Sequence, residues 1–409
     1  MHRGLRFKSV ILLLFYIALF VSVISQNFIL RKSMPLETIC DLCWVAMLGV
    51  ILVGCRLRIK LNDFSELYIV CIAYNVLLVA MLKDGFFYGK YSFSISTFLP
   101  APFLVYIISY QLMNLVKKRK NIDQIFGILI LSGLVFVLSF IKIADINWKS
   151  WVNSYVYMLD DGKNAIGHIL GILILVALFY SFDLSERKGS MIFNKVVCLL
   201  FVGLALIVIV YVQCRTALLA VAAIILFEIA ITPGKFELKC MILVCALTLG
   251  ALVIFYEKWN AIFTHAFYLD KYSDINSFSS GRIDSYLSAL RIWKQYFLFG
   301  FPGTYYVDNF YLNQLAGNGI IGAIPNFILL LVRTRLNIKA YKNKKIYRSL
   351  RNVIMITTWY ELIISLVEAL PPFGPGVSVL IFWLVSAMAD YLSGVNVEDQ
   401  LYWEIKFDV

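Results

Sequence analysis

The chain has 409 residues, of which 61% are hydrophobic and 15% charged, with a mean hydropathy of +0.81. Soluble domains carry about 25% charged residues, so this composition excludes an ordinary soluble enzyme and leaves no separate soluble domain. The net charge of +12 does not call for nucleic acid as a partner, because it follows from topology, as argued below.

The apolar runs are continuous rather than alternating. In lipid every backbone group must be satisfied internally, which leaves helices or closed barrels. Continuous runs select helices. The expected fold is therefore an all-α integral membrane protein, one polytopic domain over residues 1–409. At about 20 residues per crossing, about twelve spans are expected. They fall at 9–30, 38–55, 66–82, 93–116, 124–143, 164–182, 191–212, 216–232, 239–256, 306–332, 350–370 and 375–394.

The first run follows Arg3, Arg6 and Lys8. It is too long for a signal h-region and reads as a retained anchor. Cys40 and Cys43 form a lone CxxC with no second pair to complete a zinc site, so they read as packing residues. The run 191–232 is 42 residues long and would make a helix of about 63 Å, twice a hydrocarbon core of about 30 Å. It must turn, and the polar place is Gln213-Cys214-Arg215-Thr216.

Lys and Arg in the connections orient the chain. With the N-terminus inside, inner segments hold 23 and outer segments 13, five of them in one long loop. Both termini are thus expected in the cytoplasm, and the loop 257–304 outside. A second outer segment, 144–163, holds Trp148, Trp151, Tyr155 and Tyr157, which suit an interfacial aromatic belt.

The long loop has structure of its own. Ser280 can cap a helix, and Ile283, Tyr286, Leu287, Leu290, Trp293 and Phe297 recur at helical spacing. An amphipathic helix is expected over about 281–297, lying on the membrane surface, with Gly300, Pro302 and Gly303 ending it. Arg282 and Arg291 then point to opposite faces, so at most one of them is a direct ligand of a single site. Lys294 completes the basic set.

Four places can carry chemistry. Arg215 sits at a turn with almost no loop around it. It is either a snorkelling helix-end arginine or an anion ligand, since guanidinium offers paired donors to phosphate oxygens. In Ser279-Ser280-Gly281-Arg282, Gly281 allows close backbone approach and the following helix start offers free N–H groups to an anion. Asp308, in Asp308-Asn309-Phe310-Tyr311-Leu312, stands where the chain re-enters the membrane, as a general base, a helix N-cap or both. Glu368 lies near the outer end of a span. An intramembrane carboxylate is functional by default, although a partner for Arg215 would also explain it. Glu228, near the inner face, reads as structural. His168 and His265 are single outer-side histidines without metal-ligand spacing and read as non-catalytic. No nucleotide or metal motif is present in the sequence, and no cofactor is expected.

Three stretches taken together resemble the O-antigen polymerase and ligase superfamily, in particular the Wzy-type polysaccharide polymerases. Lys163-Asn164-Ala165-Ile166-Gly167 resembles that family's Asn-containing start of a mid-chain span. Cys214-Arg215-Thr216-Ala217-Leu218-Leu219 resembles its Ser-Arg-x-Ala-x-Leu element. Ser280-Gly281-Arg282, Trp293, Gly300 and Asp308 to Leu312, with Gly319-Ile320-Ile321-Gly322, resemble its large outer loop and the helix after it. The likeness covers residues 164–322.

The resemblance implies a bacterial inner-membrane glycosyltransferase, without metal or nucleotide sugar. It would join undecaprenyl-diphosphate-linked repeat units into O-antigen or capsular polysaccharide. Its partners would be the lipid-linked oligosaccharide donor and acceptor and membrane lipids, with a chain-length regulator and a flippase as further candidates. Arg215 and Arg282 would clamp the diphosphate, and Asp308 would be the base. Arg291, Lys294, Asn164, Asn309, Tyr311 and Glu368 would bind substrate. The ligase branch typically has His where this chain has Asp308, which favours polymerase. A flippase or carrier is the main alternative, although no repeated halves are visible.

Overall fold

A computed structural model describes residues 2–27, 30, 34–55, 59–77, 99–116, 119–143, 163–183, 191–231, 276, 279, 281–303, 305–374 and 376–394. Among these the chain is helical throughout. In chain order the helices are α1 His2–Ser25, α2 Leu36–Gly54, α3 Asp63–Tyr74, α4 Pro100–Val116, α5 Arg119–Ile143 and α6 Lys163–Asp183. They continue with α7 Met191–Tyr211, α8 Arg215–Ile231, α9 Arg282–Gln295, α10 Phe310–Lys342, α11 Arg348–Ile364 and α12 Val377–Gly394.

Four helices are long and apolar enough to cross a membrane: Leu36–Gly54, Asn121–Lys142, Phe310–Lys342 and Val377–Gly394. Five shorter apolar helices accompany them, within α1, α4, α6, α7 and α8. A membrane location fits these helices. The expected span 239–256, the loop 144–162 with its tryptophans and tyrosines, His265 and Ser280 lie outside the described residues.

Side chains explain several boundaries. Asn62 caps α3 by accepting from the Ser65 N–H, and Ser65 answers with its own side chain, a capping box. The 191–232 run turns where its polar residues predict, between α7 and α8. Gln213 there takes a left-handed φ of 58°, and the Arg215 N–H reaches the Gln213 carbonyl at 3.0 Å.

The core is built on aromatic contacts around Trp383 of α12. Its ring meets Phe64, Tyr68, Tyr106 and Phe373. At one end of the bundle Arg333 of α10 is fully buried. It grips Asp390 of α12 with two nitrogens, at 2.5 and 2.7 Å, and lies 4.7 Å over the Phe64 ring. Tyr106 also donates to Asp390, at 2.5 Å. The inner-segment count of 23 basic residues includes Arg333 in the connection after 306–332, but it is a paired core residue here and not a loop charge.

Helix α10 is 33 residues long, about 50 Å, longer than a hydrocarbon core of about 30 Å. It is broken at Gly319, whose φ of 64° and ψ of −176° leave the helical region. The loop after α9 fills the break. Ile320 and Ile321 donate to the Phe297 and Leu298 carbonyls at 2.9 and 3.2 Å, and Phe301 donates to the Ala316 carbonyl at 2.8 Å. The donors freed by the break are therefore satisfied by the loop, as non-helical backbone at membrane depth requires. A side chain on Gly300 would strike the backbone of Gly317 and Gly319, and one on Gly319 would strike Leu298. A buried amide row spans the break. Asn318 and Asn326 both donate to Gln314 Oε1, at 3.0 and 2.8 Å, and Asn75 of the α3 end donates to Asn326 at 3.2 Å.

Candidate functional site

The starts of α6, α8, α9 and α10 and the end of α11 come together at the other end of the bundle. Small residues allow this. A Cβ on Gly167 of α6 would overlap the Cys214 side chain, and one on Gly171 would overlap the Tyr360 hydroxyl of α11. These two glycines, four apart, let α8 and α11 approach α6 closely, as small-xxx-small faces do. Tyr360 then donates to the His168 carbonyl at 2.9 Å.

Arg282 is the first residue of α9. Gly281 before it adopts a φ of 76° and serves as N-cap without a side-chain bond, so the cap expected at Ser280 falls one residue later. Asn276 holds this turn: it donates to Asp284 at 2.5 Å and its backbone accepts from the Gly281 N–H. From there Arg282 Nη2 reaches Glu368 Oε1 at 3.4 Å and Asp308 Oδ2 at 3.5 Å. One guanidinium nitrogen thus lies between two carboxylates.

Glu368 Oε1 has further company. Asn164 Nδ2 donates to it at 3.0 Å, and His168 Nε2 approaches to 3.2 Å, off the hydrogen-bond direction. His168 is buried, and neither ring nitrogen has a hydrogen-bond partner among the described residues. Cys214 Sγ stands 3.9 Å from Asn164 Oδ1. The next residue is Arg215, half-buried at the start of α8.

The backbone around Asp308 is pinned. The Tyr286 hydroxyl donates to the Asp308 and Leu366 carbonyls at 2.6 and 3.1 Å. Burial pushes the Tyr286 phenol up from its ordinary value, with the Arg282 charge pulling the other way. Asn309 Nδ2 donates to the Leu366 carbonyl at 2.8 Å and its Oδ1 accepts from the Leu312 N–H at 2.9 Å. Phe310 N donates to the Ser365 carbonyl at 2.8 Å.

The expected site residues therefore divide. Arg282, Asp308, Glu368 and Asn164 meet, and Arg215 begins the neighbouring helix. The N-cap of α10 is Asn309 and not Asp308, which leaves the Asp308 carboxylate to the site. Asn309 has both ends of its amide engaged in holding backbone. Tyr311 packs against Phe310 and Phe327. Arg291 and Lys294 are exposed, on a face of α9 away from Arg282. The carboxylate of Glu368 meets Arg282, which answers the question of its partner differently from the Arg215 pairing weighed from sequence.

Sequence reasoning read His168 as non-catalytic, counted Tyr286 only in the apolar spacing of its helix, and did not weigh Glu361. His168 follows Asn164 by four positions on one helix, and Tyr286 follows Arg282 by four. That spacing puts each pair on one face and was a usable signal. Glu361 of α11 is buried with neither carboxylate oxygen hydrogen-bonded among the described residues. It sits in an apolar stretch, where an acidic residue is itself the signal.

No protein-family model matches the chain, and no curated protein matches it.

Proposed function

We propose that this protein polymerises undecaprenyl-diphosphate-linked oligosaccharide repeat units at the outer face of the bacterial cytoplasmic membrane, as the resemblance to Wzy-type polymerases implies. The observation that carries the reading is Arg282 between Asp308 and Glu368, at an end of the bundle where four helix N-termini converge. Helix N-termini favour anions, and a diphosphate would meet Arg282 and Arg215 there.

In the reaction, a hydroxyl of the acceptor sugar attacks the anomeric carbon of the donor's reducing-end sugar. The bond from that carbon to the diphosphate oxygen breaks, and undecaprenyl diphosphate departs with the electron pair. The hydroxyl proton passes to a carboxylate. Arg282 and Arg215 neutralise charge growing on the leaving group. Direct displacement inverts the anomeric configuration.

The two carboxylates suit different roles. The Glu368 side chain is 13% exposed and accepts from Arg282 and Asn164, whereas Asp308 is 35% exposed and meets Arg282 and the Tyr306 hydroxyl. Asp308, the more exposed of the two, is open to an attacking hydroxyl and is assigned as the base, while the more enclosed Glu368 holds Arg282. Charge-assisted hydrogen bonds of arginine run at about 2.7–2.9 Å. The Arg282 contacts, at 3.4 and 3.5 Å, are looser, so an incoming phosphate can draw the guanidinium away from Asp308.

The test is a deletion strain complemented with wild type or with Arg282→Ala and Arg215→Ala, read as a glycan ladder on a gel. Collapse of the ladder to a single repeat unit, unrescued by either variant at normal protein level, supports the reading. Normal chain length from Arg282→Ala would remove it. A second reading, a lipid-oligosaccharide carrier, draws on the break in α10 and its buried amide row, since transporters build midplane sites on discontinuous helices. Lipid-linked repeat units trapped on the inner leaflet of the deletion strain would favour that carrier.

A further inference from the structure

We infer that the C-terminal end of α9 is a lipid anchor, with Phe297, Leu298 and Phe299 entering the edge of the hydrocarbon and Arg291 and Lys294 contacting anionic phospholipid headgroups. The inference rests on the membrane location and not on the glycan chemistry.

Helix α9 does not lie flat across the end of the bundle. Its start touches Asp308, at the head of α10, and the turn that follows its end pairs with Ile320 and Ile321 of the same helix. It therefore runs alongside the first turns of α10 and reaches the level at which that helix becomes continuously apolar. At that level Phe297, Leu298 and Phe299 are 48%, 52% and 36% exposed. Further along α10, Ile324, Ile328 and Leu331 are exposed as well, which is what a lipid-facing stripe on a spanning helix requires. Bulky apolar side chains are thus exposed at both places along α10.

The rest of α9 divides into three sectors at about 100° per residue. Arg282, Tyr286, Ala289 and Trp293 face the bundle; Ala289 is fully buried, against Val307 and Ala316. Asp284, Ser285, Ser288 and Gln295 form an exposed polar sector. Ile283, Leu287, Arg291 and Lys294 form a third, all four of them exposed. Arg291 and Lys294 make no hydrogen bond or ion pair with any described residue. They precede Leu298 by one to two turns, roughly 6–10 Å along the axis. With the apolar tip at the hydrocarbon edge, that distance sets Lys294 within the headgroup layer, which adds about 5–8 Å on each side of the bilayer, and Arg291 at its outer edge. Basic residues beside an inserted apolar tip are the pattern of an interfacial anchor. It also explains why two cations close to the site in sequence do not face it.

The test uses the full-length chain in nanodiscs with no sugar donor present, so its outcome is independent of polymerase activity. An environment-sensitive fluorophore is attached at Leu298→Cys or at Ser288→Cys, with the unsubstituted chain as blank. Quenching is measured with a phospholipid carrying a nitroxide high on its acyl chain. Quenching several-fold stronger at 298 than at 288 is expected, and equal quenching would overturn the anchor. In the Leu298→Cys chain, quenching should also be stronger with phosphatidylglycerol present than in pure phosphatidylcholine. Arg291→Gln with Lys294→Gln should abolish that difference. A difference that survives the double substitution would overturn the headgroup contact.

Discussion

Arg282 Nη2 lies 3.4 Å from Glu368 Oε1, although 86 residues separate the two in sequence. The contact joins the start of α9 to the segment after α11, and its looseness distinguishes it from the other buried arginine pair. Arg333 grips Asp390 with two short bonds and no exposure at all. The first arrangement leaves a cation available to a ligand, and the second fixes a fold.

For the loose pair, Glu368→Gln should preserve folding, because the amide oxygen can still accept from Asn164 and Arg282. With Glu368 neutral, Arg282 should lean towards Asp308 and occupy the carboxylate that takes the hydroxyl proton. The expected result is turnover lowered about 10-fold or more, within the 10²–10⁴-fold that general base catalysis supplies, at normal protein level. Asp308→Asn should lose more. A ladder assay with quantified expression separates them, and equal activity of Glu368→Gln and wild type would remove the division of roles.

For the tight pair, Asp390→Asn leaves Arg333 buried beside a neutral group. Removing one partner of a buried ion pair costs about 3–5 kcal/mol, while replacing both with apolar residues of similar volume is near neutral. Arg333→Met with Asp390→Leu should therefore melt closer to wild type than Asp390→Asn alone, in detergent-solubilised protein. Both lie at the opposite end of the bundle from Arg282, so folded protein of either kind should keep its activity.

The glycines of the break should be intolerant to unequal degrees. Gly300→Ala and Gly319→Ala meet backbone that cannot move aside, and both need a positive φ, which costs a side chain about 1–2 kcal/mol before any clash. Gly281 also has a positive φ, of 76°, but open space around the missing Cβ. Gly281→Ala should lower the melting temperature only slightly, and Gly300→Ala and Gly319→Ala should lower it strongly or abolish the folded protein. Similar small effects at all three would mean that the loop does not pack into the break.

How much of this was readable in the sequence depends on the range of the interaction. The helical class, the turn at Gln213 and the helix after Gly281 follow from local hydropathy and spacing, and they stand in the structure. The separation of Arg282 from Arg291 was also local, since angle per residue decides it. The meeting of Asn164, Arg282, Asp308 and Glu368 was not local, because packing of four helix starts against one helix end decides it. Asn309 and Tyr311 belong to the Asp308-Asn309-Phe310-Tyr311-Leu312 stretch that carries the family resemblance. Adjacent positions point differently, however, and here one caps a helix and the other packs on Phe327. The break in α10 was hidden because Gly317, Gly319 and Gly322 look like any small-residue stripe until a loop is seen to pair with the backbone between them.

Glu361 offers the last prediction. Its carboxylate is enclosed by α11 and its neighbours, with no well-formed hydrogen bond although the Ser378 hydroxyl lies beside it. Burying a carboxylate without a partner is costly, and an acid at such a place is retained either for function or at the expense of stability. Glu361→Gln removes the ionisable group and keeps the shape, so the folded protein should be as stable as wild type or more so. Glu361→Leu should also fold, at the cost of one polar neighbour, the Ser378 hydroxyl. Melting temperature and ladder length, read together, decide what the acid is for. A stable Glu361→Gln protein that makes normal polymer places the residue outside the reaction. A stable one that makes none would give α11 a second carboxylate, beside the segment bearing Glu368, on which turnover depends.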